Sequence, residues 1–245
     1  MKILLTGNCQ VDGLDVFLKR AMPQHEIHRI PHLAVFYGEF SEEFIAAEHA
    51  WADIVFFHHK HDGAQNYPTK HPKIPLSVWH QAGPFFTKTE DSDWAQIYEH
   101  QRVYGEHSAI EFAVKEADMG YVDRWTSNYA RMKEKEWDEG VPEKIRISDL
   151  MLRGVYEQQQ LTCNHPTSLV FKEWSERICE FLGEPIGPNA VSEAEAIANP
   201  NIGGLPCEES ATTGAVKHLK LRWGGRPEDD ESGRQIARER LAKIV

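Results

Sequence analysis

A cysteine sits at the end of a short apolar run, in Ile3-Leu4-Leu5-Thr6-Gly7-Asn8-Cys9-Gln10. The thiolate is the reactive form of such a residue, and amides at a helix N-terminus lower a thiol's pKa. The same amides can donate to an oxyanion forming on an acyl carbon. Asn8 and Gln10 add side-chain donors beside the sulfur. An imidazole would complete a nucleophile–base pair, and two places offer one. His165 stands in Asn164-His165-Pro166-Thr167, just ahead of an amphipathic segment. His58, His59 and His61 stand in His58-His59-Lys60-His61-Asp62, directly after the apolar run Ile54–Phe57. Cys9, His165 and His59 are therefore the candidate catalytic residues. Gly7, Asn8, Gln10, His58, His61 and Asn164 are candidate substrate contacts. The plain alternatives are a structural cysteine in a strand-to-helix turn and solvated loop histidines.

The densest positive patch in the chain is Lys217-His218-Leu219-Lys220-Leu221-Arg222-Trp223-Gly224-Gly225-Arg226. Lys220 and Arg222 could grip the phosphates of a nucleotide-like ligand, with Trp223 against its base. An exposed basic strand face is the duller reading. A metal site is not expected. His-x-His-x-Asp-His after a strand marks the metallo-β-lactamase fold, but here Asp62 comes one residue early and no histidine follows it. Two histidines and one carboxylate cannot close a site of three or four ligands. No Gly-x-Gly-x-x-Gly and no Walker A motif is present, so dinucleotide and P-loop chemistry lack support.

The elements that must carry these residues alternate. Lys2–Thr6 reads as a buried strand, Gly7–Cys9 as a tight turn, and Val11, Leu14, Phe17 and Leu18 as one face of a helix. Glu26–Ile30 reads as a second strand. Ser41 has the character of an N-cap, with Glu42 and Glu43 in the first turn where negative charge suits the dipole. Trp51–Phe57 reads as a third strand. After a proline-rich stretch, Leu76–His80 is the next candidate strand. Ile110, Val114, Ala117, Tyr121, Trp125 and Tyr129 form a packing stripe at helical spacing. A further helix starts near Ser148. The last strong one carries Val170, Trp174, Ile178 and Phe181 on one face and ends at Gly183. Strands alternating with helices imply a mostly parallel sheet with right-handed crossovers. In such sheets ligands sit at the carboxyl ends of the strands, where Cys9 would lie.

The chain has 245 residues, with 38 acidic against 27 basic side chains and a net charge of −11. That balance argues against nucleic acid or an anionic membrane as the main partner. No apolar run approaches the ~20 residues that span a bilayer, and the first is shorter than a signal-peptide core of ~7–15 residues. A cytoplasmic location is expected. Cys9, Cys163, Cys179 and Cys207 show no Cys-x-x-Cys pair, which speaks against a disulfide framework, and Cys179 reads as a core residue. Residues 1–185 are expected to form the catalytic domain and 186–245 an extension packed on it.

Strand-Gly7-Asn8-Cys9-Gln10-helix, together with Asn164-His165-Pro166-Thr167 before a late helix, resembles the WcbI-type family of polysaccharide (capsule) biosynthesis proteins, to which acetyl transfer is attributed. The resemblance covers roughly residues 1–185. It implies a three-layer α/β fold akin to SGNH hydrolases with helical additions. It implies coenzyme A or acetyl-CoA as co-substrate, a sugar or glycan hydroxyl as acceptor, and a cysteine–histidine dyad. The cysteine carries over to Cys9. The family's histidine follows the third strand, where this chain offers His58, His59 and His61. SGNH hydrolases place theirs in an Asp-x-x-His-Pro setting, which His165 resembles except that Thr162 stands where the aspartate would be. A thiol needs that charged orienter less than a hydroxyl does. Acyl transfer is thus the leading expectation. A thiol esterase on the same scaffold and a non-catalytic glycan- or nucleotide-binding domain are the rivals, and self-association stays open.

Overall fold

The computed structural model describes residues 1–31, 35, 38–59, 67, 71–79, 126–153, 160–162, 165–199 and 201–204. The chain divides into two compact units. The first comprises Met1–Val78, Glu134–Ile147 and Ser168–Leu205; the second comprises Trp79–Lys133, Ser148–Thr167 and Pro206–Val245.

The first unit is an α/β fold on a four-stranded parallel sheet. Strand β1 (Lys2–Gly7) leads through helix α1 (Gln10–Ala21) to β2 (Glu26–Pro31). Helix α2 (Glu42–Trp51) returns the chain to β3 (Ile54–Phe57), and β4 (Lys73–Pro75) follows. The strand order is β2-β1-β3-β4, every pair parallel. Because β2 and β3 flank β1 on opposite sides, the winding reverses between β1 and β3. Open α/β sheets bind their ligands at such a reversal.

Side chains alternate between the two faces of a strand, and the register sorts the core accordingly. Ile3 and Leu5 lie level with Ile54 and Phe56. This face meets α5 (Ser168–Leu182), where the rings of Phe56 and Phe181 approach edge to face at 6.4 Å. Leu4 and Val55 point the other way and pack with Ile30, Ile45 and Ala52 beside α2. Sheet and flanking helices make three layers.

The helices stop and start where their residues demand. Ser41 Oγ accepts the Phe44 amide at 3.2 Å, with Glu42 and Glu43 in the first turn. Gly183 ends α5 at φ +73°, a conformation that costs a side-chain-bearing residue, and the Glu184 amide closes onto Cys179 O at 2.9 Å. Arg20 of α1 forks onto both carboxylate oxygens of Glu195 at 2.7 and 2.9 Å, tying α1 to α6 (Glu193–Ala198).

Two boundaries differ from the sequence reading. The third strand begins at Ile54, not Trp51, because α2 runs through Trp51. That indole stacks on His28 of β2 at 3.9 Å with Lys2 Nζ above it, so it serves the helix rather than the sheet. The fourth strand is Lys73–Pro75 rather than Leu76–His80. Leu76 still donates its amide to Phe57 O at 2.7 Å, and Leu76, Val78 and Trp79 are buried without forming a strand. His80 lies outside the described residues, as do 110–125 of the aromatic stripe. Tyr129 falls in a helix, α3, over residues 126–138.

From Glu134 onward α3 belongs to the first unit. It carries a buried carboxylate, Glu136, whose Oε1 accepts from Ser77 Oγ and from the Ile147 amide (2.7 Å). One carboxylate thereby joins α3 to the segment after β4 and to the chain leaving the 3-10 turn Glu143–Ile145. In the second unit, α4 (Leu150–Arg153) begins just after Ser148, as expected. Strands β5 (Gln160–Thr162) and β6 (His165–Pro166) pair antiparallel, Thr162 opposite His165.

Candidate functional site

The site grows out of the end of β1. Gly7 is its last residue, at φ +154°, and the His58 amide donates to Thr6 O at 3.0 Å, carrying the β1–β3 ladder one residue past β3. With Leu5 opposite Phe56, the next residue on that face of β1 is Gly7 and the next beyond β3 is His58. A Cβ on Gly7 would lie 2.4 Å from His58 Nδ1, 2.7 Å from Cγ and 2.9 Å from Cβ. Only glycine leaves room for the imidazole. Its ring is fully buried.

The backbone then turns over this ring. The Asn8 amide donates to His58 Nδ1 at 3.3 Å. Asn8 Oδ1 accepts the Gln10 amide at 2.9 Å, and Asn8 O accepts the Val11 amide at 3.1 Å. Asparagine suits this position because its short side chain mimics a backbone turn. Cys9 caps α1 in helical conformation (φ −56°, ψ −16°) without a side-chain capping bond, and its carbonyl accepts the Asp12 amide at 3.1 Å. The thiol is thus held at the N-terminus of α1, half-buried, at the point where the sheet winding reverses.

Its electrostatics differ from the expectation of a lowered pKa. Burial pushes the Cys9 thiol above its ordinary value, and a hydrogen bond to the backbone of Cys9 itself offsets this only in part. Removing the thiolate from water outweighs that hydrogen bond, which favours the protonated sulfur. Two of the expected oxyanion donors are also engaged. The Asn8 amide serves His58 and the Gln10 amide serves Asn8 Oδ1. The Gln10 residue is fully buried.

The two described histidines after β3 go separate ways. His58 faces Gly7 and the turn. His59 Nε2 donates to the Glu139 carbonyl at 3.0 Å, just beyond the end of α3, and its ring tilts against Phe57 at 4.9 Å. His165 belongs to the second unit, where it is buried in β6, and that burial pushes its imidazole below the ordinary value. A buried neutral imidazole has the protonation state a general base requires. His61, Asn164, Lys220 and Arg222 lie outside the described residues. Among the described residues no cluster of three or more His, Cys, Asp or Glu side chains could hold a metal ion.

Sequence reasoning placed Trp174 in the core stripe but did not connect it with the site. Its ring lies 6.1 Å from that of His58 with planes 23° apart, and 6.4 Å from Phe171 with planes 14° apart. Phe171 in turn meets Phe17 of α1 at 5.7 Å. A column of aromatic rings therefore backs the imidazole from α5. Strand parity was the available signal, since it puts His58, and not His59, on the face that α5 covers.

No protein family's sequence profile matches the chain, and no curated protein matches it. Among solved structures, the fold is similar to that of WcbI, a polysaccharide biosynthesis enzyme, in its native form without a disulfide bond between coenzyme A and one of its cysteines. The two share 15% sequence identity at a TM-score of 0.54, over 80% of this chain and 71% of that one. At that identity the likeness establishes the α/β architecture shared by the two chains.

Proposed function

We propose that this protein transfers an acyl group from coenzyme A to a hydroxyl of a sugar or glycan, with Cys9 at the acyl site. The observation that carries the reading is the Gly7-Asn8-Cys9 turn, seated on a buried imidazole where the sheet winding reverses. The neighbour of like fold is a polysaccharide biosynthesis enzyme whose structure is reported with reference to coenzyme A and a cysteine, which supports both donor and acceptor class.

In this reading the acceptor hydroxyl attacks the thioester carbonyl. The C–S bond to coenzyme A breaks, an ester C–O bond forms, and the hydroxyl proton passes through an imidazole to the leaving thiolate. His165 and the histidines after β3 are the candidates for that imidazole. Lys220 and Arg222 are assigned to the phosphates of the donor, and Asn164 and His61 to the substrates. A covalent route through Cys9 first requires a base to remove its proton, because burial keeps the thiol protonated.

The test is calorimetric titration with coenzyme A, followed by turnover of acetyl-CoA with and without a panel of sugars. Binding, together with thiol release that depends on the sugar, supports the reading. Release of free acid without any acceptor would assign the site to hydrolysis. Absence of binding in both titration and turnover would overturn it. Intact-mass analysis during turnover separates the routes: an acetylated Cys9 marks the covalent one.

A further inference from the structure

We propose that Trp174 is a positioning residue for His58, holding the imidazole in one orientation and one tautomer beneath the Gly7-Asn8-Cys9 turn. Three of its contacts bear on the ring's orientation. Gly7 lies against its Nδ1 and Cγ side so closely that no Cβ fits, the Asn8 amide donates to Nδ1 at 3.3 Å, and the Trp174 indole lies across the ring at 6.1 Å. Because Nδ1 accepts the amide proton, the neutral ring carries its own proton on Nε2. Rotating the ring about χ2 by half a turn would put a C–H against the Asn8 amide and leave that donor unmatched. In this proposal the indole, stacked 6.1 Å away, is what opposes that turn.

Trp174 is a costly way merely to fill the core. It is fully buried, and among the described residues its Nε1–H has no hydrogen-bond partner. A phenyl ring would fill much of the same space without burying an unmatched donor. What the larger indole adds is a surface that spans from Phe171 to His58. The consequence reaches the thiol through the backbone. His58 Nδ1 holds the amide of Asn8, Asn8 Oδ1 holds the amide of Gln10, and Cys9 lies between those two amides.

This inference rests on the acyl-transfer reading only for its kinetic arm. Nitrogen-15 NMR of the wild-type protein, with His58 assigned by His58→Gln and exposed His28 as the internal control, reads the tautomer directly. A single Nε2–H tautomer is expected, and an Nδ1–H form or a mixture would overturn the proposal. Trp174→Phe keeps an apolar ring in the core and removes the spanning edge. In that variant a second tautomer of His58 is expected to appear and its titration midpoint to move, with His28 unchanged. The kcat for acetyl transfer should fall about tenfold or more with KM for acetyl-CoA held. Loss of activity with the His58 spectrum and titration unchanged would show a purely structural role and overturn the proposal. A shifted His58 spectrum in a protein whose wild type transfers no acyl group would uphold the positioning role and overturn the acyl-transfer reading instead.

Discussion

Replacing Gly7 by alanine tests whether the site is built as the geometry indicates. The new Cβ would stand 2.4 Å from His58 Nδ1 and 2.7 Å from Cγ, about 1 Å inside normal contact. Retreat of the ring is opposed by the Trp174 indole, 6.1 Å away between ring centres, and by its own backbone, fixed by the His58 amide on Thr6 O. Moving it by 1 Å breaks the 3.3 Å bond from the Asn8 amide and leaves a buried donor, at about 1–3 kcal/mol. Overpacking adds about 1–3 kcal/mol, and a positive φ on alanine about 1 kcal/mol or more. Gly7→Ala should therefore cost about 3–7 kcal/mol, a large part of the about 5–15 kcal/mol that holds a domain folded. Urea denaturation followed by far-UV circular dichroism measures it. The decisive comparison is the same substitution in a His58→Ala background, where the ring atoms at 2.4 and 2.7 Å are gone. There the cost should drop by about 2–6 kcal/mol, leaving the backbone strain of about 1 kcal/mol. Equal costs in the two backgrounds would refute the argument that the imidazole is what excludes a side chain at position 7.

Burial, with Lys73 nearby, pushes buried His49 of α2 from 6.5 down to about 4. The unfolded chain then binds the extra proton, so stability is complete above about pH 6.5 and is lost as pH falls towards 4, by about 2 kcal/mol at pH 5. Denaturation at pH 7.5 and 5 should show that loss, and His49→Phe, which can keep the ring stack on Tyr67 (5.1 Å), should flatten it. Glu136→Leu leaves the Ser77 hydroxyl and the Ile147 amide without their shared acceptor and should cost about 2–4 kcal/mol in urea denaturation, whereas Glu136→Gln, which retains an oxygen, should cost less. Alkylation of Cys9 by iodoacetamide, followed by peptide mapping, should be slower at pH 7.5 than that of glutathione and should rise steeply above pH 9. A rate at pH 7.5 faster than glutathione's would mean that the thiol's pKa is lowered rather than raised by its surroundings.

What was legible in the sequence is what local chemistry decides. Ile3-Leu4-Leu5 followed by Gly7-Asn8 allows little but a buried strand and a turn, and that is where β1 ends and α1 begins. Ser41 and Gly183 mark helix ends through their own hydrogen bonding and backbone freedom. The boundaries that moved were decided at a distance. Trp51 is apolar enough for a strand, yet its contacts with His28 and Lys2 keep it in α2. Lys73-Ile74-Pro75 has a poor strand composition and becomes one because Val55 and Leu76 complete its hydrogen bonds with β3. Lys133-Glu134-Lys135-Glu136 has the composition of a solvated face. The buried role of Glu136 depends on Ser77, 59 residues earlier, and no local pattern reports that pairing.

The turn itself bears on how an acyl group would be handled. A helix N-terminus is attractive for a thiolate because its amides are orphaned. Here Asn8 Oδ1 takes the Gln10 amide and Asn8 O takes the Val11 amide, while the Asn8 amide itself is directed at His58. These amides are thereby engaged in holding the turn together, and burial is the largest influence on the thiol, pushing its pKa up. Under the proposed reading, a protonated, half-buried thiol beside this turn would suit lining an acyl pocket, where it would not compete for the thioester. A nucleophilic role demands more rearrangement, because the proton must leave and an oxyanion must find donors that are not already matched. Under the proposed reading, direct attack by the acceptor hydroxyl would leave the hydrogen bonds of Asn8 intact, and the rigidity that Gly7, His58 and Trp174 give this turn would then fix the donor while the acceptor moves in.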